Sequence, residues 1–526
     1  MAIIKSERLY IIGAGFAGRT LAQEIKAKAV FGEVVAFLDD DPEKIGRKID
    51  GIPVLGPIRD VARLLRMKSA DQAIIAIPNA SQEYLREIYQ ILKQAGFQRI
   101  RILPGISQII EGDPHFIQTR FIDPQDLLGR TPVAVNLKES LAYLRGKRVL
   151  ITGAGGSIGS ELCRQLLSGG AARLYLLGHG ENSIYQIDRE LRLLQDEGVG
   201  EKASLVPIIG DLKDRDYMEW IMGRLNADVV FHTAAYKHVP MMEENPVAAV
   251  ENNLFGTDNL IAAAARHGVK RFVHITTDKA VEPVSVYGVS KYLCERLVLE
   301  AAAAYNGKQG GNGLNFMVVR FGNVLGSRGS IMPLFQRQIE QGGPVTVTHP
   351  EMRRWFMTIP EACSLVLKAG GVGENGSLYL LDMGDPVRIR DMAEQMIRFY
   401  GFEPERDIPI EYVGLRPGER LDEKLWGEDE EPRRTEFNRI LKVERKAPHR
   451  VDIARLIEEL RPVCQRDPRR PELFRDSALL RKILREGIPG FAERNGAPAP
   501  RPETAPLPAV QAFPAFLTFP ARASGT

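Results

Sequence analysis

Residues 147–161 read KRVLITGAGGSIGSE, and this stretch decides the fold. Its apolar run, Val149 to Ile151, has the length and composition of a buried strand. Gly153, Gly156 and Gly159 then stand at GxxGxxG spacing, and the helical segment SELCRQLL follows at once. A turn of this kind brings backbone N–H groups and a helix N-terminus onto a pyrophosphate. That job falls to Gly153, Gly156, Ser157, Ile158 and Gly159. Downstream, ARLYLLG, SLVPIIGD, DVVFHTAA and RFVHITT read as further strands separated by helical segments. Such alternation predicts a parallel, doubly wound sheet.

The same order occurs upstream. A strand at Leu9–Ile12 runs into Gly13-Ala14-Gly15-Phe16-Ala17-Gly18, a helix, and a strand ending in Asp39, Asp40 and Asp41. No chemical constellation follows this turn, so its glycines read first as a close approach of helix and strand. The fold class is therefore α/β: two Rossmann-like doubly wound parallel-sheet domains in series, the second with a small C-terminal substrate-capping lobe. The expected boundaries are residues 1–125, 126–490 and a Pro/Ala-rich tail at 491–526 expected to be disordered.

Composition agrees with that reading. The 526 residues exceed one core, and ~150 residues per domain predicts two to four units. Net charge is only +3, which leaves no electrostatic footprint for a nucleic-acid partner. Four scattered cysteines (Cys163, Cys294, Cys363 and Cys464), without a CxxC pair, predict neither a disulfide framework nor a metal site. No signal peptide and no transmembrane run is recognised, so a cytoplasmic protein is expected.

Ligands of a doubly wound sheet sit at the carboxyl ends of its strands. The loops expected there carry Asp211-Leu212, placed for an adenine ring, then Ala234-Ala235-Tyr236-Lys237-His238, and Thr276-Thr277-Asp278-Lys279. Tyr287 and Lys291 follow in a YxxxK spacing, which sets an ammonium one helical turn from a phenol. A neighbouring cation favours phenolate and makes the group a base nearer neutrality. With 14 tyrosines about one such pair is expected by chance, and the chain has three, at Tyr89–Lys93, Tyr143–Lys147 and Tyr287–Lys291. Only Tyr287 follows a strand end bearing hydroxyl, acid and amine groups.

TGAGGSIGSE, AAYKHVPMMEENP, TTDKAVEPVSVYGVSK and RFGNVLGSRGSIMPLF together resemble the extended short-chain dehydrogenases/reductases. Within them the chain is similar to the UDP-N-acetylglucosamine 4,6-dehydratases of the CapD-like polysaccharide biosynthesis family. GGPVTVTHPEMRRWFMTIPEA and LRPGERLDEKL extend the resemblance over roughly residues 125 to 450. The N-terminal domain resembles the CoA-binding-like domain of the family's long members. Those members usually begin with membrane helices, which are not recognised here.

The resemblance implies NAD or NADP, tightly bound and recycled in each turnover, a UDP-sugar substrate and a homo-oligomer. It implies that Tyr287 takes the proton of the sugar 4-hydroxyl, while Lys291 lowers the phenol's pKa and holds the nicotinamide ribose. Thr277 would bond the 4-hydroxyl, Lys279 would be the C5 base, and Asp278 the acid for the departing 6-hydroxyl. Asn323 and Arg416 would meet the diphosphate, Arg354 the uridine, and Lys237 and His238 the sugar. Many long members carry Met where this chain has Tyr287, whose presence favours an active oxidation step. The strand LYLLG ends in Gly178 and His179 without the usual ribose-binding acid, so NAD and NADP both stay open. Two competing functions remain: a nucleotide-sugar epimerase, which needs no Asp278–Lys279 pair, and a nucleotide-binding regulatory or scaffold protein.

Overall fold

The computed structural model describes residues 7–28, 32–77, 80–97, 99–103, 120–121, 141–196, 198–200, 202–306, 313–446 and 451–491. The expected junction at 125/126 and residues 492–526 of the expected tail lie outside them; Phe491 is buried in the core.

The first sheet joins β1 (Arg8–Ile12), β2 (Glu33–Leu38), β3 (Gln72–Ile75), β4 (Arg99–Ile102) and β5 (Arg120–Phe121) in the order β2-β1-β3-β4-β5. All pair in parallel except the β4–β5 edge. Helix α1 (Phe16–Lys28) leaves the first glycine turn. A Cβ on Gly18 would sit 1.9 Å from the Gly13 carbonyl oxygen, so this glycine does permit the close approach. Asp39, at the end of β2, accepts the Ala14 N–H at 2.7 Å and faces Lys44. Helix α2 (Gln82–Gln94) is capped by Ser81 and packs Ile88, Tyr89 and Leu92 inward.

Among the described residues the second sheet has nine strands. In chain order they are β6 (Arg148–Thr152), β7 (Arg173–Gly178), β8 (Ser204–Ile209), β9 (Val229–His232), β10 (Arg271–Thr277), β11 (Asn315–Phe321), β12 (Ser377–Leu381), β13 (Glu430–Arg434) and β14 (Ile440–Arg445). The spatial order is β8-β7-β6-β9-β10-β11-β12-β14-β13, parallel as far as β12 and antiparallel beyond. The order reverses between β6 and β9, which opens the crevice where a ligand binds in such sheets. Near-continuous burial of β6, β7 and β10 fits a sheet covered on both faces.

Helix α3 (Ser157–Ser168) follows β6, and α4 (Glu181–Asp196) follows β7. Helix α5 (Gly256–Arg266) precedes β10, and α6 (Val286–Asn306) follows it. The capping lobe has its own core, in which α7 (Ile331–Glu340) and α8 (Ile389–Phe399) bury Met332, Phe335, Met392 and Met396. Its chain is not confined to the lobe, because residues 377–381 and 430–445 return to extend the main sheet. Two final helices, α9 (Ile453–Cys464) and α10 (Ser477–Gly487), join the main core. Among the described residues no helix is long and apolar enough to cross a membrane.

Candidate active site

The glycine turn has the features of an anion cradle. Gly153 takes φ +67°, accepts the Gly156 N–H at 2.8 Å, and would meet the Ala234 backbone at 2.9 Å if it carried a Cβ. Gly159 would place a Cβ 2.2 Å from the Gly153 oxygen. The N-cap of α3 is Gly156, which offers no side-chain cap, and the first turn holds no acid. Other helices here are capped by Ser81, Asp452 or Asp476. The first-turn N–H groups of α3 are therefore left for a ligand, and a dinucleotide pyrophosphate fits their charge and direction.

The Ala234 backbone abuts this turn at Gly153, and Ala235 follows it in the loop after β9. Leu212 is buried beside Gly256, and Asn259 fixes the loop by donating to the Leu212 carbonyl at 3.0 Å. Asp211 accepts the Lys213 N–H at 3.0 Å. These two stand at the end of β8, two strands out from the glycine turn.

The reactive groups meet at the end of β10. Thr277 caps the following turn and donates to Asp278 Oδ1 at 2.8 Å. Lys279 Nζ lies 3.0 Å from Asp278 Oδ1 and 3.1 Å from Asn323 Oδ1. Asp278 is 0% exposed, so this is no solvated surface pair. Its second oxygen, Oδ2, is buried without a hydrogen-bond partner. Gly322 is the reason it has room: a Cβ there would come within 3.3 Å of Oδ2.

Tyr287 and Lys291 enter from the first turns of α6, both buried. Burial pushes the Tyr287 phenol well above its ordinary range, and the Asp278 charge adds to this, against a hydrogen bond with Thr277. Burial pulls Lys291 down. Thr277, Asp278, Lys279 and Tyr287 thus stand together and Lys291 bonds the Ile275 carbonyl on the same strand, whereas Asn323, expected at the diphosphate, instead accepts from Lys279. The other pairs separate from them: Tyr89 belongs to the first domain's core, and Tyr143 donates to the Leu367 carbonyl at 2.8 Å.

The outer residues are distributed differently. Lys237 and His238 lie on the rim; Lys237 Nζ is 3.5 Å from Ser327 Oγ, and His238 packs under Gly329. Arg416 is exposed on a loop whose Gly418 rests against Ser285 and Val239. Arg354 is buried, and its guanidinium donates to the carbonyls of Arg353, Leu421 and Arg420 at 2.7–2.8 Å. In this structure it clamps segment 420–423 to the site.

Three groups escaped sequence reasoning. Glu423, held by that clamp, lies 3.9 Å from Arg354 and feels both Lys279 and Asp278; burial raises its pKa. Arg328 binds the glycine turn, its N–H to Ser157 Oγ and its guanidinium to the Gly155 carbonyl, each at 3.0 Å. Asn253 donates to Ser290 Oγ and the Tyr236 carbonyl, tying α6 to the loop after β9. Each comes from a segment remote in sequence; the RFGNVLGSRGSIMPLF and LRPGERLDEKL motifs contain Arg328 and Glu423, and no motif marked Asn253.

With the site in place, comparison with known proteins becomes informative. The polysaccharide biosynthesis protein family matches residues 149–445. The chain belongs to that family. A CoA-binding domain family matches residues 5–104. The "Probable polysaccharide biosynthesis protein EpsC" of Bacillus subtilis is 42% identical over 426 residues, covering 81% of this chain and 69% of that protein. "Capsular polysaccharide biosynthesis protein CapD" of Staphylococcus aureus is 42% identical over 429 residues, 81% and 70% of the two chains. A "UDP-N-acetylglucosamine 4,6-dehydratase (inverting)" of Campylobacter jejuni is 30% identical over 294 residues, 56% and 81%. The family match spans the Thr277–Lys291 segment.

Proposed function

We propose that this protein is an NAD- or NADP-dependent nucleotide-sugar 4,6-dehydratase acting on UDP-N-acetylglucosamine. The observation that carries the reading is the Asp278–Lys279 pair, joined at 3.0 Å and standing beside Tyr287. An epimerase working by oxidation and re-reduction at C4 has no use for a second acid and base. When bound, the dinucleotide supplies a hydride acceptor at C4 and a hydride donor at C6; Gly153, Gly156, Ser157, Ile158 and Gly159 would hold its pyrophosphate.

The protein's own groups do the proton work. Tyr287 removes the 4-hydroxyl proton, with Thr277 orienting that hydroxyl and Lys291 favouring the phenolate. A 4-keto group acidifies the C5 hydrogen, and Lys279 takes it. Asp278 protonates the leaving 6-hydroxyl. One proton shifted along the Nζ···Oδ1 hydrogen bond turns carboxylate and ammonium into the acid and the amine that elimination needs. Asn323 and Arg416 are assigned to the diphosphate, and Lys237 and His238 to the sugar rim. Arg354 serves the uridine side through the 420–423 segment it fixes.

The test is mass spectrometry of UDP-N-acetylglucosamine incubated with the protein in deuterated water. The expected product is lighter by one water and carries solvent deuterium at C5, and Lys279→Met abolishes both changes. An unlabelled epimer would establish the epimerase instead, and unchanged substrate would favour another nucleotide sugar or a binding protein.

A further inference from the structure

Lys291 is anchored from below. It is 4% exposed, its Nζ donates to the Ile275 carbonyl at 2.9 Å, and it lies 3.2 Å from His274 Nε2. His274 on β10 is paired in register with His232 on β9, so both side chains leave the sheet on the face that α6 covers. Their rings are 5.0 Å apart. Burial holds both imidazoles far below their ordinary values, His232 at about 3, and the Lys291 charge adds to it. Both rings are therefore neutral.

A neutral ring facing an ammonium must present its lone pair at Nε2 and carry its proton on Nδ1. In His232 both nitrogens are occupied, by Thr152 Oγ1 at 2.7 Å and Thr257 Oγ1 at 2.9 Å. His274 differs: its Nδ1 is buried with no hydrogen-bond partner. An orphaned buried donor is a cost that an apolar residue at this site would avoid, as its neighbours Phe272 and Val273 do. The compensation is on the other side of the ring, at Lys291.

We propose that His274 is a positioning residue for Lys291, taking one ammonium N–H while Ile275 takes a second, so that the third is left for the cofactor ribose and the Tyr287 side. A lysine stem has many rotamers, and two fixed bonds select one of them before any ligand arrives. This role rests on the oxidoreductase reading of Tyr287 and Lys291 given above.

The experiment compares His274→Gln, whose side-chain oxygen reaches the Nε2 position, with His274→Asn, which has the same groups one carbon shorter, and with His274→Leu. NAD+ affinity is measured by titration of the full-length protein, and kcat and KM with UDP-N-acetylglucosamine. We expect Asn and Leu to weaken NAD+ binding and lower kcat by about tenfold each, the size of one lost charge-assisted hydrogen bond, with KM for the sugar unchanged. Gln should stay within about threefold of the parent. Parent-like NAD+ affinity in the Asn variant, or equal losses in Asn and Gln at matched melting temperatures, would overturn the role of His274. Should Leu fail to fold, the Gln–Asn comparison decides alone. Absence of binding of both NAD+ and NADP+ by the parent would instead sink the oxidoreductase reading.

Discussion

Tyr287 sits in an environment that opposes its own ionisation, since burial and then Asp278 both raise the phenol. Lys291 stands one helical turn away, so turnover should depend on pH through this pair. A phenol held high is a base only in its minor, deprotonated fraction, and that fraction grows tenfold per pH unit below the pKa. The rate should therefore climb with pH above neutrality. Lys291→Met, which removes the charge favouring phenolate, should move this ascending limb to higher pH. Tyr287→Phe should lower kcat by ~10²–10⁴-fold, the usual worth of a positioned general base, with substrate still bound. Steady-state kinetics from pH 6 to 10 would check both, and a profile unchanged by Lys291→Met would contradict the assignment. At this scale much was legible in the sequence, because Thr277, Asp278, Lys279, Tyr287 and Lys291 lie within one strand end and one helix turn. Glu423, Arg328 and His274 were not. Their roles depend on which loop or strand folds against them, and nothing local to the chain records that.

The element scale is governed by one buried cation. Arg320 on β11 is 1% exposed and grips Glu295 of α6 at 2.7 Å and Glu430 of β13 at 2.6 Å. Arg445 of β14 adds a contact to Glu430 at 3.0 Å. The cluster ties the antiparallel edge pair to the helix that carries Tyr287. Arg320 favours the charged Glu430 even against burial, so the Glu430 carboxyl falls from an ordinary 4.5 to about 2. A lowered folded pKa contributes stability above pH 4.5 that is lost as pH falls toward 2. Acid titration followed by circular dichroism should show that loss in the parent. Arg320→Met leaves the buried Glu295 without its cation and Glu430 with Arg445 alone, and should cost about 3–5 kcal/mol at neutral pH. The companion variant Arg320→Met/Glu295→Gln/Glu430→Gln should recover part of that in urea melts; a single variant as stable as the parent would refute the account. Sequence periodicity found β6 to β10 because apolar runs flanked by turns are a local signal, but it did not mark β11. It missed the return of 377–381 and 430–445 to the sheet. Glu430–Arg434 reads EEPRR, a polar, proline-bearing run fit for an edge strand and without the alternation that marks a strand in sequence.

At the scale of the whole molecule, the family match and the physical domain end at different places. The match stops at residue 445, yet the main core continues through α9 and α10 to Phe491. Helix α9 lies against α6, the helix that carries Tyr287, and α10 packs on α9 and on residues 246–250. Leu456, Leu460, Val463, Leu480 and Leu484 are all buried there. Full burial of each such side chain is worth about 1.5–3 kcal/mol, and a folded domain of this kind keeps a margin of roughly 5–15 kcal/mol. Losing five of them at once, with the core surface they cover newly exposed, removes most or all of that margin. The expectation is that a chain cut after Arg445 yields insoluble protein or a broad, non-cooperative thermal transition, while a chain cut after Phe491 melts like the parent. The Asp452 and Asp476 caps make a finer test of the same idea. Replacing either by Ala should destabilise by about 1 kcal/mol, since each accepts first-turn N–H groups of its helix. If the chain ending at Arg445 instead melted cooperatively at the parental temperature, α9 and α10 would be an appendage and the α6 face a surface free for another subunit.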